Sequence, residues 1–515
     1  MNDLQQQQIS PLIKKKSIAS DIEDPLAEEQ RFPRSIAFIV GNEFAERFTF
    51  YGIKAVLFLF MTDYKRWNSD EATALLHSFN MMAYFMPLFG SVLADSYWGK
   101  FKTILYLSLL YCGGSIMIAV SAIPGMNDKL TMLGLLLLAI GTGGIKPNVS
   151  SFGADQLINA PKYVPLFFSM FYFSINAGSV ISMFFTPILR GDLHCFGRQD
   201  CFPAAFGVPA LFMLLATFIF FAGKREYLMV PPSNSNLLTQ LFEIISSAFV
   251  GYVGDVREKG FKNADFWLHP ISEGFPRKRV FEFKALMHVF QVMLPLPLFW
   301  ALYDQQGSRW TAQAQLMNPH FIGLTIKPDQ MPTSNAVLIL AFIPLFNRFL
   351  YPLSMLLPSF LQFHNKPLRK MGLGMLLCGC SFIYSAFLQM AVDAHPYDVN
   401  DANSGISISW QFGQYVIVTA SEILFSITGL EFAYSESPVS LKSMAQAGWL
   451  LTVAVGNLIV VIIAESKLFA KLANEMLFFA FMIWVALFIF MIISWNYTSF
   501  KDRQNEELVF IEDDE

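Results

Sequence analysis

Charge is scarce in this sequence: 15% of its 515 residues are Asp, Glu, Lys or Arg, against 54% hydrophobic and 15% aromatic. Soluble domains carry nearer a quarter charged, and so thin a polar shell cannot cover several separate cores. Neither sign dominates, with 36 basic and 40 acidic residues and a net charge of −4. No basic field exists to attract nucleic acid, which excludes that class. Five cysteines are too few for a disulfide scaffold, and no CxxC pair or Cys/His cluster has metal-site spacing. Neither a metal nor a cofactor is expected. The first 34 residues (QQQQ, KKK, EDPLAEEQ) lack the apolar core of a cleavable signal. Enzymatic signatures are missing as well: there is no G-x-S-x-G elbow. Gly254-Asp255 lacks the G-x-G-D spacing that would partner Tyr303-Asp304 in an intramembrane aspartyl protease.

Long apolar runs are what the chain has in plenty. Stretches near the twenty residues that a bilayer requires lie at 35–60, 73–95, 103–122, 130–154, 165–189 and 204–222. Six more follow at 282–304, 333–357, 371–391, 411–434, 443–464 and 472–496. The expected architecture is all-α and polytopic: a polar cytosolic tail (1–34), a six-helix bundle (35–222), a cytosolic linker (223–281), a second six-helix bundle (282–496) and an acidic cytosolic tail (497–515). With an even number of spans both termini share a compartment, and most loop Lys and Arg fall on their side, which the positive-inside rule makes cytosolic. Cys195 and Cys201 then lie in an outer loop (RGDLHCFGRQDCFP), where an oxidising lumen favours a local bridge over two free thiols.

This topology strands basic residues within or at the edge of spans: Arg47, Lys54, Lys146, Arg190, Lys284 and Arg348. Such residues face a protein interior or a water-filled path, because a charge in hydrocarbon costs several kcal/mol. Glu43, Glu46 and Arg47 fall on adjoining faces of span 1, where two carboxylates and one guanidinium can exchange partners; one static ion pair would need only one acid. Lys146 follows the small-residue run Gly141-Thr-Gly-Gly-Ile and precedes Pro147; the spacing is not that of a P-loop. Glu431 is the matching anion in the second half, so that Lys146 and Glu431 would flank a cavity suited to a zwitterion. His77, near the outer end of span 2, is a candidate proton acceptor. Lys54 and Asp304 can form an outer gate across the halves, and Asp95, in the charged turn GSVLADSYWGKFK, an inner latch.

The stretches GNEFAERFTFYG, GTGGIKPNVSSFGADQ, FFSMFYFSINAGS, FWALYDQQGSRW and GLEFAYSESP resemble the hallmark blocks of the proton-coupled oligopeptide transporters, members of the major facilitator superfamily, and especially the animal di- and tripeptide carriers. The likeness runs from about Phe32 to Trp495. It implies a symporter importing di- and tripeptides by alternating access, with protons as coupling ion. It further implies that Glu43, Glu46 and His77 couple protons, that Arg47 and Lys146 hold the peptide carboxylate, and that Glu431 receives the amino terminus. Asn176 and Asn335 would bond the peptide backbone, while Tyr51, Tyr84, Trp300 and Trp449 would line side-chain pockets.

Two departures stand out. The segment 391–410 is short where the animal intestinal and renal carriers insert a large extracellular domain, and His288 occupies the place, twelve residues before Trp300, where the animal branch implies arginine. The expected partners are peptide, protons and the lipid bilayer, with the monomer as working unit. The plasma membrane is the expected location and an endolysosomal membrane the alternative. Carriage of nitrate or of a single amino acid such as histidine, and peptide sensing without transport, are the rival readings.

Overall fold

A computed structural model describes residues 32–232, 243–253, 274–356, 362, 366–398, 400–401, 404–438 and 441–499. Most of the two tails (1–34 and 497–515) and much of the 223–281 linker therefore lie outside the described residues. The first half contains α1 (Ser35–Leu59), α2 (Ser69–Phe85), α3 (Lys100–Ser121), α4 (Asp128–Asp155), α5 (Val164–Asp192) and α6 (Phe202–Ala222). The second contains α7 (Arg277–Met293), α8 (Pro297–Tyr303), α9 (Arg309–Gln315), α10 (Thr333–Leu345), α11 (Pro367–Ala394), α12 (Gln411–Glu422), α13 (Thr428–Ser435), α14 (Lys442–Ser466) and α15 (Leu472–Trp495). The only regular strands among the described residues are a two-residue pair, β1 (His320–Phe321) and β2 (Leu324–Thr325), in the connection after α9.

Among the described residues nine helical segments are long and apolar enough to cross a membrane, or ten with the α7–α9 run counted as one span bent by 43°. The first two sequence-expected spans fall outside that set for a physical reason. Glu43, Glu46, Arg47 and Lys54 dilute α1, and the expected span 73–95 is broken: α2 stops at Phe85, Pro87–Val92 forms a separate short helix, and Leu93–Trp98 is wound as a π-helix. The expected span 282–304 is likewise two helices, since Pro297 opens α8 and its missing N–H cannot serve an unbroken α7 ladder. Local chemistry fixes the helix starts: Asn68 accepts from Asp70 N and Asn127 from Lys129 N, each at 2.9 Å, which satisfies donors that have no intrahelical partner.

Two hydrophobic cores divide the chain at the linker. One gathers Ile36, Phe58, Tyr111, Phe167 and Phe206; the other gathers Trp310, Phe382, Tyr415, Phe425 and Phe479. Tyr84 of α2 packs against the second core, crossing between halves. Close approach of α1 and α5 depends on Gly178, where a Cβ would stand 2.6 Å from Phe44 O and 3.2 Å from Arg47 Cβ. The linker, weakly periodic as sequence, contains the apolar helix Glu243–Val253, whose buried Ile244 joins Phe283, Leu286 and Met444 in a small core. Cys195 and Cys201 are joined as a disulfide, and Cys112, Cys378 and Cys380 are free.

Candidate functional site

Polar residues that the sequence scatters over six helices meet where the halves face each other. On α1, Arg47 Nε donates to Glu43 Oε1 at 2.8 Å and lies 2.7 Å from Glu46 Oε2. Both carboxylates are buried, at 2% and 0% exposure, so a single guanidinium serves two acids. Glu46 has a second partner on α4, the Thr142 hydroxyl, which donates to its other oxygen. Removal of either acid would leave the rest of the cluster intact but redistribute its charge, and that is what a proton can do.

Lys146 lies on the same side. Its ammonium stands 3.9 Å from the ring centroid of Tyr84 and 4.8 Å from that of Phe50, and its buried Nζ has no hydrogen-bond partner. A buried ammonium resting on ring faces is stabilised only partly, and an incoming carboxylate would supply the missing bonds.

The opposite wall is built differently from the expectation. Glu431 is exposed, and its electrostatic neighbours are Lys370 and Tyr351 of its own half. The carboxylate within electrostatic reach of Tyr51 and Tyr84 of the first half is Glu422, whose Oε2 accepts from Asn335 Nδ2 at 2.9 Å. Asn335 also donates to Thr419 Oγ1 (3.0 Å), and its Oδ1 accepts from the Tyr303 hydroxyl (3.1 Å). Tyr51, Tyr84 and Tyr303 all lie in the electrostatic reach of both Glu422 and Asp304. The geometric reason is phase: the winding between Glu422 and Glu431 turns Glu431 away from the side on which Glu422 meets Asn335 and toward solvent. The π turn Ile423–Ile427 lies between them.

Toward the end where α1 finishes and α2 begins, the halves are stitched together. His77 is fully buried; Nδ1 lies 2.7 Å from Asn457 Oδ1 and Nε2 2.9 Å from Ser308 Oγ. Asn457 Nδ2 donates to Asp304 Oδ2 at 2.7 Å, and Lys54 Nζ donates to Asp304 Oδ1 at 3.2 Å. Because the Asn457 amide spends its donors on Asp304 and Val453 O, its oxygen must accept, which sets His77 Nδ1 as the protonated nitrogen. Further crossings at this end are Arg190 to Asp329 (2.6 and 2.9 Å), Arg309 to Asp70 (2.7 Å) and Lys327 to Asp192 (2.5 Å).

Other expected residues sit elsewhere. Asp95 is exposed and takes no part in the nearby ion pair, which joins Lys100 to Asp155 at 2.7 Å within the first half; it is not a latch between halves in this conformation. Asn176 donates to Tyr172 O one turn back on α5. Trp300 and Trp449 stack edge to face, ring centroids 5.9 Å apart, within the second core, and the Trp300 indole N–H is unpaired. Lys284 and Arg348 are exposed. Sequence reading missed Asn457, Ser308 and Thr142, because an uncharged polar residue in an apolar run carries no distinguishing signal. Glu422 did carry one, a second acid in the same span.

Comparison with known proteins agrees with this architecture. A family model described as PTR2, POT family, matches residues 101–485. "Peptide transporter family 1" of Drosophila melanogaster is 33% identical, over 94% of this chain and 90% of its own length, and "Solute carrier family 15 member 2" of Danio rerio is 33% identical over 94% and 93%. The first alignment runs over 678 positions, more than the length of this chain, so that relative carries sequence this one lacks. Among solved structures, the in meso crystal structure of the POT family transporter PepTSo superposes with a TM-score of 0.77 at 29% identity, covering 90% of this chain and 98% of that one. A second, titled as a proton dependent oligopeptide (POT) family transporter, gives 0.70 at 30% identity over 88% and 100%. A chain of multiple membrane spans, with two hydrophobic cores and a buried carboxylate–guanidinium cluster in its first half, thus belongs to the POT family of proton-dependent oligopeptide transporters.

Proposed function

We propose that this chain carries di- and tripeptides across the membrane together with protons, and that the conformation described is closed at the His77 end and accessible from the other. The observation that supports this reading best is the opposed pair of wall chemistries: Lys146 lacks any anionic partner on one side, and Glu422 is held in place by Asn335 on the other. A zwitterion with its charges one to two residues apart answers both, and nitrate answers only one. In this reading Lys146, with Arg47 once it is released from its carboxylates, takes the peptide carboxylate. Glu422 takes the amino terminus, and Tyr51 and Tyr84 border the space for side chains.

Proton coupling follows from exchange within the cluster. Protonation of Glu43 or Glu46 removes one claim on Arg47 and frees the guanidinium for substrate; loss of that proton draws Arg47 back and expels the anion. At the stitched end, protonation of His77 puts a proton on Nε2, so Ser308 must change from donor to acceptor. Charge also appears one hydrogen bond away from the Asn457 amide that bonds Asp304. Such changes drive transport only if the two conformations hold the proton unequally, and the stitched end, which must come apart for the outward state, supplies that difference. In this reading both termini lie in the cytosol, as the excess of loop Lys and Arg on their side supports, the stitched end is extracellular, and the monomer works in the plasma membrane.

The test is Glu46→Gln in proteoliposomes. Accumulation of dipeptide against its gradient should disappear while exchange of labelled for unlabelled peptide persists, because Arg47 keeps Glu43. Unchanged proton-driven accumulation in that variant would contradict the coupling role.

A further inference from the structure

The groove between α3 and α6 has a cavity at each end. At the His77 end about 350 Å3 of open space is bordered by Ile116, Val120, Phe196, Gly207 and Leu214, with no charged residue in the lining. At the opposite end about 550 Å3 lies between Lys100, Lys102, Tyr106, Phe221, Lys224 and the stretch 229–232. Between them the helices present exposed apolar side chains, Tyr106, Leu109 and Ile116 on α3 and Leu211, Leu215 and Phe218 on α6, as expected of a surface against hydrocarbon. One lipid-facing groove thus ends in a neutral cavity on one side and a basic one on the other.

The basic cavity is a formed site. Gln156 grips the chain after α6 from both sides, donating to Leu228 O (3.1 Å) and accepting from Leu228 N (2.7 Å). Gly99, at φ +77°, lets the turn before α3 approach Pro232, whose Cδ would lie 3.7 Å from a Cβ there. Lys100 is occupied by Asp155. Lys102 and Lys224 are exposed and have no hydrogen-bond or ion-pair partner among the described residues. Two free ammonium groups sharing a cavity with the exposed rings of Tyr106 and Phe221, at the ends of two apolar helices, match a phosphate with acyl chains beside it.

We propose that this cavity binds an anionic glycerophospholipid of the cytosolic leaflet, with Lys102 and Lys224 on the headgroup phosphate and the acyl chains laid along Tyr106, Phe221 and the α3–α6 groove. The lipid would tie the start of α3 to the linker that follows α6. The site is independent of the peptide site and needs no peptide to fill it.

Native mass spectrometry of the purified full-length protein, equilibrated with an equimolar mixture of phosphatidylserine and phosphatidylcholine, reads the preference directly. The unaltered protein should retain phosphatidylserine selectively. The pair Lys102→Gln and Lys224→Gln should weaken that preference by roughly fivefold per lysine, the equivalent of about 1 kcal/mol each. A matched pair at the other end, Lys129→Gln and Lys467→Gln, should leave it unchanged. Because all four side chains reach the surface, melting temperatures should stay equal and make the comparison fair. An unaltered preference in the Lys102/Lys224 variant would overturn the proposal. So would displacement of the lipid by soluble glycerophosphoserine at equal concentration, which would make this a free-anion site. Retention seen only after removal of residues 1–31 would assign the cavity to that acidic segment and overturn it equally.

Discussion

His77 on α2 and Asn457 on α14 share a 2.7 Å hydrogen bond across the two halves, and the same Asn457 amide holds Asp304 at 2.7 Å. A titratable ring is thereby linked to the Lys54–Asp304 ion pair through one uncharged amide. Replacing Asn457 by Leu should leave His77 with Ser308 alone and Asp304 with Lys54 alone. A lost bond to a charged group costs about 1.5–3 kcal/mol, so proton-driven uptake should fall tenfold or more. Exchange at equal pH should fall much less, which initial-rate measurements with and without a gradient would separate.

The two glutamates of the span 411–434, Glu422 and Glu431, should behave differently. Glu422→Gln removes the anion that faces the cleft and should weaken binding of a dipeptide at least tenfold, while an N-acetylated dipeptide, with no ammonium to bind, should be indifferent to the change. Glu431→Gln should stay within about twofold, since Glu431 is exposed and outside the cluster. Competition binding with the two ligands decides it; equal losses for both variants would return Glu431 to the site.

Closure at the His77 end rests on buried pairs rather than exposed ones. Asp329 is fully buried against Arg190, so Arg190→Ala strands a carboxylate at a cost of about 3–5 kcal/mol in the closed form. The population should shift outward, and an introduced outer-cleft cysteine should label faster. Lys467 stands 3.9 Å from Glu71 with both side chains half exposed, and Lys467→Ala should change nothing measurable.

The loop disulfide is expected to contribute stability and no transport function. Cys195 and Cys201 close a loop six residues apart in sequence, for which chain entropy gives about 2 kcal/mol. Cys201→Ser should lower the melting temperature and leave uptake intact. Thiol counting in denaturant should find the three free cysteines before reduction and all five after.

Much of this was written in the sequence, and the reason is energetic. Hydrophobic runs gave the helices of both halves, and the cost of charge in hydrocarbon singled out Glu43, Glu46, Arg47, Lys54 and Lys146. The breaks at Pro87 and Pro297 are not legible from hydropathy, because the apolar runs continue through both prolines. Glu422 and Glu431 lie in one apolar run, and only the rotation of the helix tells which of them faces the first half. Asn457 and Ser308 could not be found at all: their roles arise from what stands opposite in another helix, and a lone polar residue has no periodicity to betray it.

The central claim is that zwitterionic peptides move with protons through the site between Lys146 and Glu422. It is tested most directly by uptake of a labelled, hydrolysis-resistant dipeptide into proteoliposomes, with and without an inward proton gradient, against dipeptide, histidine and nitrate as competitors. Accumulation above equilibrium is expected only with the gradient, inhibited by di- and tripeptides and not by histidine or nitrate. Accumulation that ignores the gradient, or that nitrate or histidine inhibits in place of peptides, would contradict it.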